Sequence, residues 1–285
     1  MKRKDSRKFY FSALLLLPAL TVWWPLWHLA SGALMGTAEI ADTVGAALSA
    51  GSSSYAVWPA LPSSPTLQSV VELLLDTPEF FVMFWNTVRM VLPQLAGQLL
   101  FGAPAAWAFS RLRFRGRKLL FGLYIVLMLL PFQVTMVPNY LVLNSLHLMD
   151  TRWAIILPGA FSAFPVFIMA KGFDAVPKPL LEAAEIDGAN AVQTFFRIGL
   201  PLGVPGILSA MVLGFLEAWN MLEQPMTFLK DKSLWPLSLY LPQVAAEKLP
   251  VAMVAGLLML TPSVLIFLFG QKYLELGIQS AGLKE

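Results

Sequence analysis

The sequence contains no cysteine and only two histidines, His28 and His147, which lie far apart in the chain. Disulfides and thiolate metal sites are therefore excluded, and the histidines show no metal-ligand spacing. The chain also lacks the glycine-rich phosphate loop that ends in Gly-Lys-Ser or Gly-Lys-Thr, so we do not expect it to bind or hydrolyse ATP. Because there is no Ser/His/Asp or Cys/His arrangement either, we assign no catalytic residue and no bound cofactor.

Charge is scarce as well. Charged residues make up 13 % of the chain, against a usual share of about 25 %, whereas 57 % of the residues are hydrophobic and the mean hydropathy is +0.67. The apolar residues form runs of roughly the 20 residues that a membrane-spanning helix needs. The net charge of +3 could suggest nucleic acid, but the basic residues occur in short clusters between the apolar runs. The sequence therefore predicts an all-α membrane protein that contacts a lipid bilayer and no nucleic acid.

Hydropathy predicts six transmembrane helices, the first of them uncleaved. The spans are expected at 9–29, within 80–109, and at 119–138, 153–170, 202–221 and 251–270. The domain limits follow: a cytoplasmic N-terminus with the first span at 1–30, an extracytoplasmic loop at 31–79 with one helical piece at 67–75, a transmembrane domain at 80–272 and a cytoplasmic tail at 273–285. The prolines inside the spans are expected to kink their helices; they are Pro18, Pro104, Pro131, Pro165 and Pro262.

The basic residues predict which side of the membrane each loop faces. Of the 20 Lys and Arg residues, 15 fall on the side of the N-terminus and four on the opposite side, while Arg89 lies within the second span. Because cytoplasmic loops carry an excess of Lys and Arg, this split predicts a plasma or inner membrane protein with both termini in the cytoplasm. The segment between spans four and five, 177–201, is then cytoplasmic as well.

This cytoplasmic segment has the pattern of a helix, a turn and a second helix. Pro177 and Pro179 suit the first turn of a helix, because the fixed φ of proline fits there and its missing N–H would have had no partner. Strong helix formers follow at 180–186. Gly188 fits a left-handed C-cap, which only glycine adopts at little cost, before a second helix at 189–199.

The first helix of the segment carries an acidic edge. Glu182 and Glu185 are three residues apart and share a helix face, while Ala183 and Ala184 keep the neighbouring surface slim. Such a helix could dock in a groove whose rim carries Arg or Lys. A solvated interfacial hairpin fits the same residues, and the local chemistry leaves both interpretations open.

The segment also matches the pattern E-A-A-x3-G-x9-I-x-L-P at every fixed position. The matching residues are Glu182, Ala183, Ala184, Gly188, Ile198, Leu200 and Pro201. This pattern resembles the EAA loop in the permease subunits of ATP-binding-cassette (ABC) importers, which have the MetI-like transmembrane fold. The resemblance implies a coupling hairpin that sits in a cleft of an ATP-hydrolysing subunit, and its contact residues would be Glu182, Ala183, Ala184, Glu185, Asp187 and Gly188.

Shorter motifs narrow the resemblance to the smaller permease subunit of maltose-type carbohydrate importers. They are FWNT at 84–87, AWAFSR at 106–111 followed by FRG at 114–116, IDG at 186–188, WN at 219–220 with Pro225, and a G-x-x-x-x-G-x-K tail at 277–284. The resemblance implies a heterodimer with a second permease, two ATP-binding subunits that hold ATP and Mg, and an extracytoplasmic solute-binding protein. The solute would be a sugar or oligosaccharide.

Two other classes of function stay open at this point. The EAA loop is shared among ABC importers, so the solute could instead be a peptide, a phosphate or a polyamine. The tail ends in Leu283-Lys284-Glu285 and Glu217 is an unusual charge, so both depart from the carbohydrate pattern. A membrane scaffold, or a carrier driven by protons, would need no ATPase; a proton relay needs paired buried carboxylates or histidines, and the spans offer only Glu217 near an edge.

Polar side chains inside the spans give a candidate solute pathway. Asn86, Gln94 and Gln98 lie at multiples of four and form one stripe on span two, where hydrogen bonding between helices is the alternative role. On span five the expected face consists of Glu217, Asn220 and Gln224, with Trp219 as an aromatic wall. These groups could hydrogen-bond sugar hydroxyls near the outer mouth.

Overall fold

The computed structural model describes residues 2–45, 55–57, 59–244 and 248–282, and the regular structure in these ranges is helical. The chain forms two compact units, which we describe separately. One comprises Met1–Phe81 and Tyr240–Thr261, and the other comprises Val82–Leu239 and Pro262–Glu285. The predicted all-helical class is confirmed.

The first unit contains the long helix α1 (Lys2–Gly32) and two short helices, α2 (Thr37–Ile40) and α3 (Gln68–Leu75). The predicted helical piece at 67–75 corresponds to α3. Two hydrogen bonds hold described residues of the segment that precedes α3: the indole N–H of Trp27 donates to the carbonyl of Ala60 at 2.7 Å, and the N–H of Ser63 donates to Oε1 of Glu39 at 2.6 Å. This part of the predicted loop is therefore bonded to α1 and α2.

The second unit begins within a helix that runs without interruption through 78–111. It comprises α4 (Pro78–Gly97), a wider π-type turn at Gln98–Gly102, and α5 (Ala103–Arg111). The wide turn immediately precedes Pro104, whose missing N–H cannot take part in the regular hydrogen-bond ladder. The helix carries Arg89 and three amide side chains, so it is more polar than the other predicted spans.

Span three is not a single straight helix. Its residues form α6 (Arg117–Leu129) and α7 (Phe132–Ser145), whose axes meet at 105°. The break lies at Leu130, which is extended, and Pro131. A residue before proline disfavours the helical conformation. The predicted kink at Pro131 is therefore confirmed, and the structure shows a complete break between two helices there.

The other α-helices of the described residues follow along the chain. They are α8 (Trp153–Ala160), α9 (Ala163–Asp174), α10 (Lys178–Ile186), α11 (Ala191–Thr194), α12 (Leu200–Trp219), α13 (Glu223–Phe228) and α14 (Leu249–Gly282), with a π-type turn at Phe195–Gly199 joining α11 to α12. Within the described residues, three helical segments are long and apolar enough to cross a membrane: Trp153–Asp174, Ala191–Trp219 and Leu249–Leu276. The bent pair of α6 and α7 adds a fourth at most, so six spans stay a prediction.

The core of the second unit is built where α9 crosses α12. Gly172 and Gly206 meet there backbone to backbone, since a Cβ atom on Gly172 would lie 2.6 Å from Cα of Gly206. This close approach brings Phe173 into contact with α12, and Trp107 from α5 packs against Phe173 with ring centroids 5.3 Å apart. The end of helix 78–111 is therefore packed against the helices that lead into and out of segment 178–199.

Candidate functional site

The segment between α9 and α12 is a hairpin with a fixed turn, as the sequence predicts. Gly188 has φ of +81°, the left-handed conformation expected of it. Its N–H donates to the carbonyl of Glu185 at 3.1 Å, and the N–H of Ala189 donates to the carbonyl of Ala184 at 2.9 Å. This pair of bonds is a Schellman motif, which satisfies the last carbonyls of α10 and ends the helix sharply.

The second arm of the hairpin begins with a capping box that sequence reasoning missed. The side chain of Asn190 accepts from the N–H of Gln193 at 2.9 Å, and the side chain of Gln193 accepts from the N–H of Asn190 at 3.0 Å. Each side chain thus pairs a backbone donor at the start of α11. The N-x-x-Q spacing of Asn190 and Gln193 could have indicated this capping box. The second helix begins at Ala191 and not at the predicted residue 189.

The carboxylates of the hairpin point outward. Glu182, Glu185 and Asp187 are exposed, and among the residues that the structure describes no basic side chain forms an ion pair with them. Ala183 is exposed as expected. Ala184 is only 7 % exposed and faces inward, because α10 packs on this side; it does not slim the outer surface as we had expected.

Large apolar side chains accompany these carboxylates on the hairpin surface. Ile186 is 87 % exposed beside the turn, and Leu180, Val192 and Phe196 are exposed by 47 %, 64 % and 60 %. The sequence interpretation emphasised charge and missed this apolar surface. A cluster of exposed large apolar residues rimmed by charge is typical of a protein-interaction site.

A polar cavity of about 400 Å³ lies elsewhere in the second unit. It brings together five of the residues predicted for a pathway: Gln94, Gln98, Glu217, Asn220 and Gln224. Gln94 and Gln98 are 5 % and 2 % exposed. The amide of Gln98 donates to the carbonyl of Gly159 at 2.9 Å, so this side chain both bonds across helices and lines the cavity. The side-chain oxygens of the two glutamines are buried and accept no hydrogen bond from the described residues.

The route by which Glu217, Asn220 and Gln224 come together differs from the expected single helix face. Helix α12 ends at Trp219, Asn220 caps it, and α13 starts anew at Glu223. The three side chains therefore meet around a helix break and not along one face. The N–H₂ of the Asn220 side chain donates to the carbonyl of Leu216 at 2.8 Å, which ties the cap to the last turn of α12.

Asn86 and Trp219 do not line the cavity, contrary to the expectation. Asn86 is 1 % exposed; its amide donates to the carbonyls of Ser233 and Trp235 at 2.6 and 3.2 Å and accepts from Arg152 at 3.1 Å. Trp219 is 6 % exposed and is stacked on Phe215, with ring centroids 5.3 Å apart. Asn86 joins its helix to the segment 233–235 and to Arg152, whereas Trp219 stacks within α12 and is buried there.

The cavity also contains polar residues that the sequence reasoning did not single out. Ser162 and Glu223 line it, and the amide of Gln133 donates to Oε1 of Glu223 at 2.7 Å. Gln133 follows the break between α6 and α7, so this bond joins the bent pair to α13. Tertiary contact alone connects these residues, which are 90 positions apart.

Known proteins resemble this chain in sequence. The sequence profile described as "Binding-protein-dependent transport system inner membrane component" matches residues 98–280, more than half of the chain. An arabinooligosaccharides transport system permease from Halalkalibacterium halodurans is 27 % identical over 226 residues, which cover 78 % of this chain and 81 % of the relative. A probable ABC transporter permease from Pyrococcus horikoshii is 30 % identical over 228 residues, covering 78 % and 82 %.

Solved structures show the same fold. A bacterial ABC transporter involved in the import of the acidic polysaccharide alginate has a chain that aligns with a TM-score of 0.79 and 23 % identity, covering 96 % of this chain and 98 % of that one. A second match, the alginate transporter in complex with a periplasmic protein bound to an alginate pentasaccharide, has a TM-score of 0.63 and 16 % identity over 94 % of each chain. The resemblance read from the EAA loop is confirmed: the chain is a transport subunit, not an enzyme, and belongs to the family of inner membrane components of binding-protein-dependent transport systems.

Proposed function

We propose that this chain forms half of the translocation pathway of an ABC importer for a sugar or oligosaccharide. The observation that carries the proposal is the cavity, which is lined by the amide residues Gln94, Gln98, Asn220 and Gln224. Glu217 and Glu223 add carboxylates at its wall, and no basic residue is among the described residues that line it. Such a lining suits an uncharged solute with many hydroxyl groups, since amides and carboxylates can form hydrogen bonds with hydroxyls.

The relatives agree with this solute class, since the permease from Halalkalibacterium halodurans is named for arabinooligosaccharides. By analogy with the alginate transporter and its periplasmic protein, a solute-binding protein would deliver the solute. A second permease would complete the pathway as a heterodimer. The domain limits and the six spans, with both termini in the cytoplasm and α1 and helix 78–111 as spans one and two, belong to the same proposal.

The hairpin is the proposed link to a separate ATPase, which binds ATP and Mg. Its carboxylates, Glu182, Glu185 and Asp187, stay unpaired within the described residues, and Ile186 offers apolar area for burial. Ala183 and Gly188 belong to the same contact surface. Two copies of the ATPase would be needed, one for this hairpin and one for that of the second permease.

Uptake measurements test the solute pathway. Cells carrying Gln224→Ala should accumulate labelled oligosaccharide several-fold more slowly than wild type, at equal protein abundance in the membrane, because the cavity loses an amide that can bond a sugar hydroxyl, worth about 0.5–1.5 kcal/mol. Asn144→Ala removes an exposed amide that does not line the cavity and is the matched control. Equal uptake by the two variants would count against the cavity.

Cysteine labelling tests the orientation, and the chain has no native cysteine to interfere. Ser64→Cys and Ala191→Cys introduce single thiols at exposed positions of the loop and the hairpin. An impermeant maleimide added to intact cells should label the first and not the second. Labelling of position 191 from outside would overturn the orientation and, with it, the contact with a cytoplasmic ATPase.

A further inference from the structure

Two side chains at the end of helix 78–111, those of Ser110 and Arg111, form hydrogen bonds to residues 173–176, where α9 leads into the hairpin. The guanidinium of Arg111 donates from Nε to the carbonyl of Phe173 at 3.0 Å, and from Nη2 to the carbonyls of Phe173, at 2.5 Å, and Val176. The hydroxyl of Ser110 donates to Oδ1 of Asp174 at 2.7 Å. Both residues belong to the AWAFSR motif at 106–111, which lies outside the hairpin and does not line the cavity.

The bonds of Arg111 go to carbonyls at the end of α9, of which that of Phe173 also accepts from the N–H of Val176 at 3.1 Å. Helix α9 ends at Asp174 and α10 is capped by Pro177, so the carbonyls of Phe173 and Val176 lie on either side of the helix boundary. A cationic side chain that binds them satisfies these groups and interacts favourably with the negative end of the helix dipole. The planar guanidinium holds both carbonyls at once, which a flexible ammonium does less well.

The segment that leads from the hairpin into α12 also packs against α5. Trp107 packs against Phe195, with ring centroids 5.8 Å apart, and a Cβ atom on Gly199 would lie 2.5 Å from this indole ring. Phe195 and Gly199 bound the turn that leads into α12. Helix α5 therefore contacts the base of the hairpin on its incoming side through Ser110 and Arg111, and on its outgoing side through Trp107.

Helix 78–111 also reaches the cavity. Gln94 and Gln98 lie on this helix, and the distance along it from Gln98 to Arg111 is about 20 Å at 1.5 Å per residue. A displacement of residues 173–176 would move helix 78–111, and with it Gln94 and Gln98 at the cavity, as long as the hydrogen bonds of Arg111 stay intact. Without Arg111, the carbonyl of Val176 loses its bond to helix 78–111, and Ser110 alone still bonds the end of α9 there.

We propose that Arg111 is a positioning residue that joins the hairpin to helix 78–111, so that ATP-driven movement of the hairpin shifts Gln94 and Gln98 at the cavity. This inference rests on the proposed function. The hydrogen bonds of Arg111 to the carbonyls of Phe173 and Val176 would transmit movement from the ATPase to the solute pathway. A merely structural Arg111 would affect abundance and assembly, whereas the positioning role predicts ATP hydrolysis without movement at the cavity.

The experiment uses the complete purified complex in proteoliposomes, with Gln94→Cys as the single reporter thiol. The probe is N-ethylmaleimide, and its labelling rate is measured with and without ATP and Mg, beside the rate of ATP hydrolysis. In the reporter background, ATP should change the labelling rate by about fivefold or more, the size of a typical coupling between sites. Adding Arg111→Ala should reduce this response to less than about twofold while ATP is still hydrolysed.

Two further variants complete the design. Arg113→Ala removes an exposed arginine two positions away and should leave the response unchanged. Arg111→Lys should give an intermediate response, because a lysine can reach one carbonyl, and it serves as the test should the alanine variant fail to assemble. The proposal is overturned if the position 111 variants respond like Arg113→Ala, or if they lose ATP hydrolysis in proportion to the labelling response. If the complex with the native Gln94 hydrolyses no ATP, the proposed function fails and not this inference alone.

Discussion

The turn at Gly188 offers the sharpest test of the hairpin, because its strain can be separated from its contacts. Its φ of +81° lies in the left-handed region, and a Cβ atom added there would have no neighbour within 4 Å. An alanine would therefore clash with nothing and would cost only the conformational penalty of the left-handed region, about 1–2 kcal/mol. A valine should cost more, since a β-branched residue is a genuine outlier there, and an asparagine should cost less.

The penalty should appear as lost affinity for the ATPase. If the turn relaxes to another conformation, the fraction of hairpins that can dock falls, and the apparent dissociation constant rises by the inverse of that fraction. An energy of 1–2 kcal/mol corresponds to about a fivefold to thirtyfold increase for Gly188→Ala. We expect the order of affinities to be Gly, Asn, Ala, Val, and we expect Gly188→Val to abolish uptake while the protein still reaches the membrane.

Gly116 provides the matched control. Its φ is +84°, a Cβ atom there also has no neighbour within 4 Å, and it precedes α6 outside the hairpin. Gly116→Ala should lower the stability of the protein about as much as Gly188→Ala and leave the affinity for the ATPase unchanged. The assay is titration of purified ATPase onto the permease in nanodiscs. Equal affinities for the two alanine variants would refute the role of the turn.

Three further outcomes are expected. Ile186→Ala should weaken binding of the ATPase by about 1.5–3 kcal/mol, the value of burying such a side chain, whereas Leu61→Ala, which is 66 % exposed outside the hairpin, should not change it in the same titration. Glu182→Lys should weaken the complex by about 2–5 kcal/mol and more than Glu182→Gln does, because a charge reversal repels a basic partner; equal effects would exclude a charge pair. Asn86→Ala should lower the free energy of unfolding, measured in detergent, by about 1–3 kcal/mol because Arg152 and the carbonyls of Ser233 and Trp235 lose their partner.

Local chemistry predicted the hairpin well. Glycine alone adopts φ near +80° at little cost, so Gly188 marked the turn without reference to any distant residue. Proline disfavours the helical conformation of the residue before it, so Pro131 marked the break in span three, although Pro18 and Pro262 lie inside continuous helices. In both cases the structure depends on the residue itself and its immediate neighbours.

Predictions that depended on distant contacts were less complete. The amide stripe on span two was identified from its spacing, but only the fold shows that Asn86 is bound to Ser233 and Trp235 whereas Gln94 and Gln98 reach the cavity. Periodicity assumed that α12 continued to Gln224. It did not anticipate the cap at Asn220, because a helix end that is set by tertiary packing has no strong local signal.

The surface of the hairpin shows why its charge and its apolar residues have different roles. An exposed ion pair contributes at most about 1 kcal/mol, so the carboxylate of Glu182 adds little affinity unless docking removes it from water. Burial of Ile186, which is 87 % exposed, can contribute about 1.5–3 kcal/mol without any partner of opposite charge. The apolar tip is therefore the better source of affinity, and the acidic edge is the better source of orientation. A helix held in this way moves with its partner as one body, and Arg111 lies where that movement would enter the membrane domain.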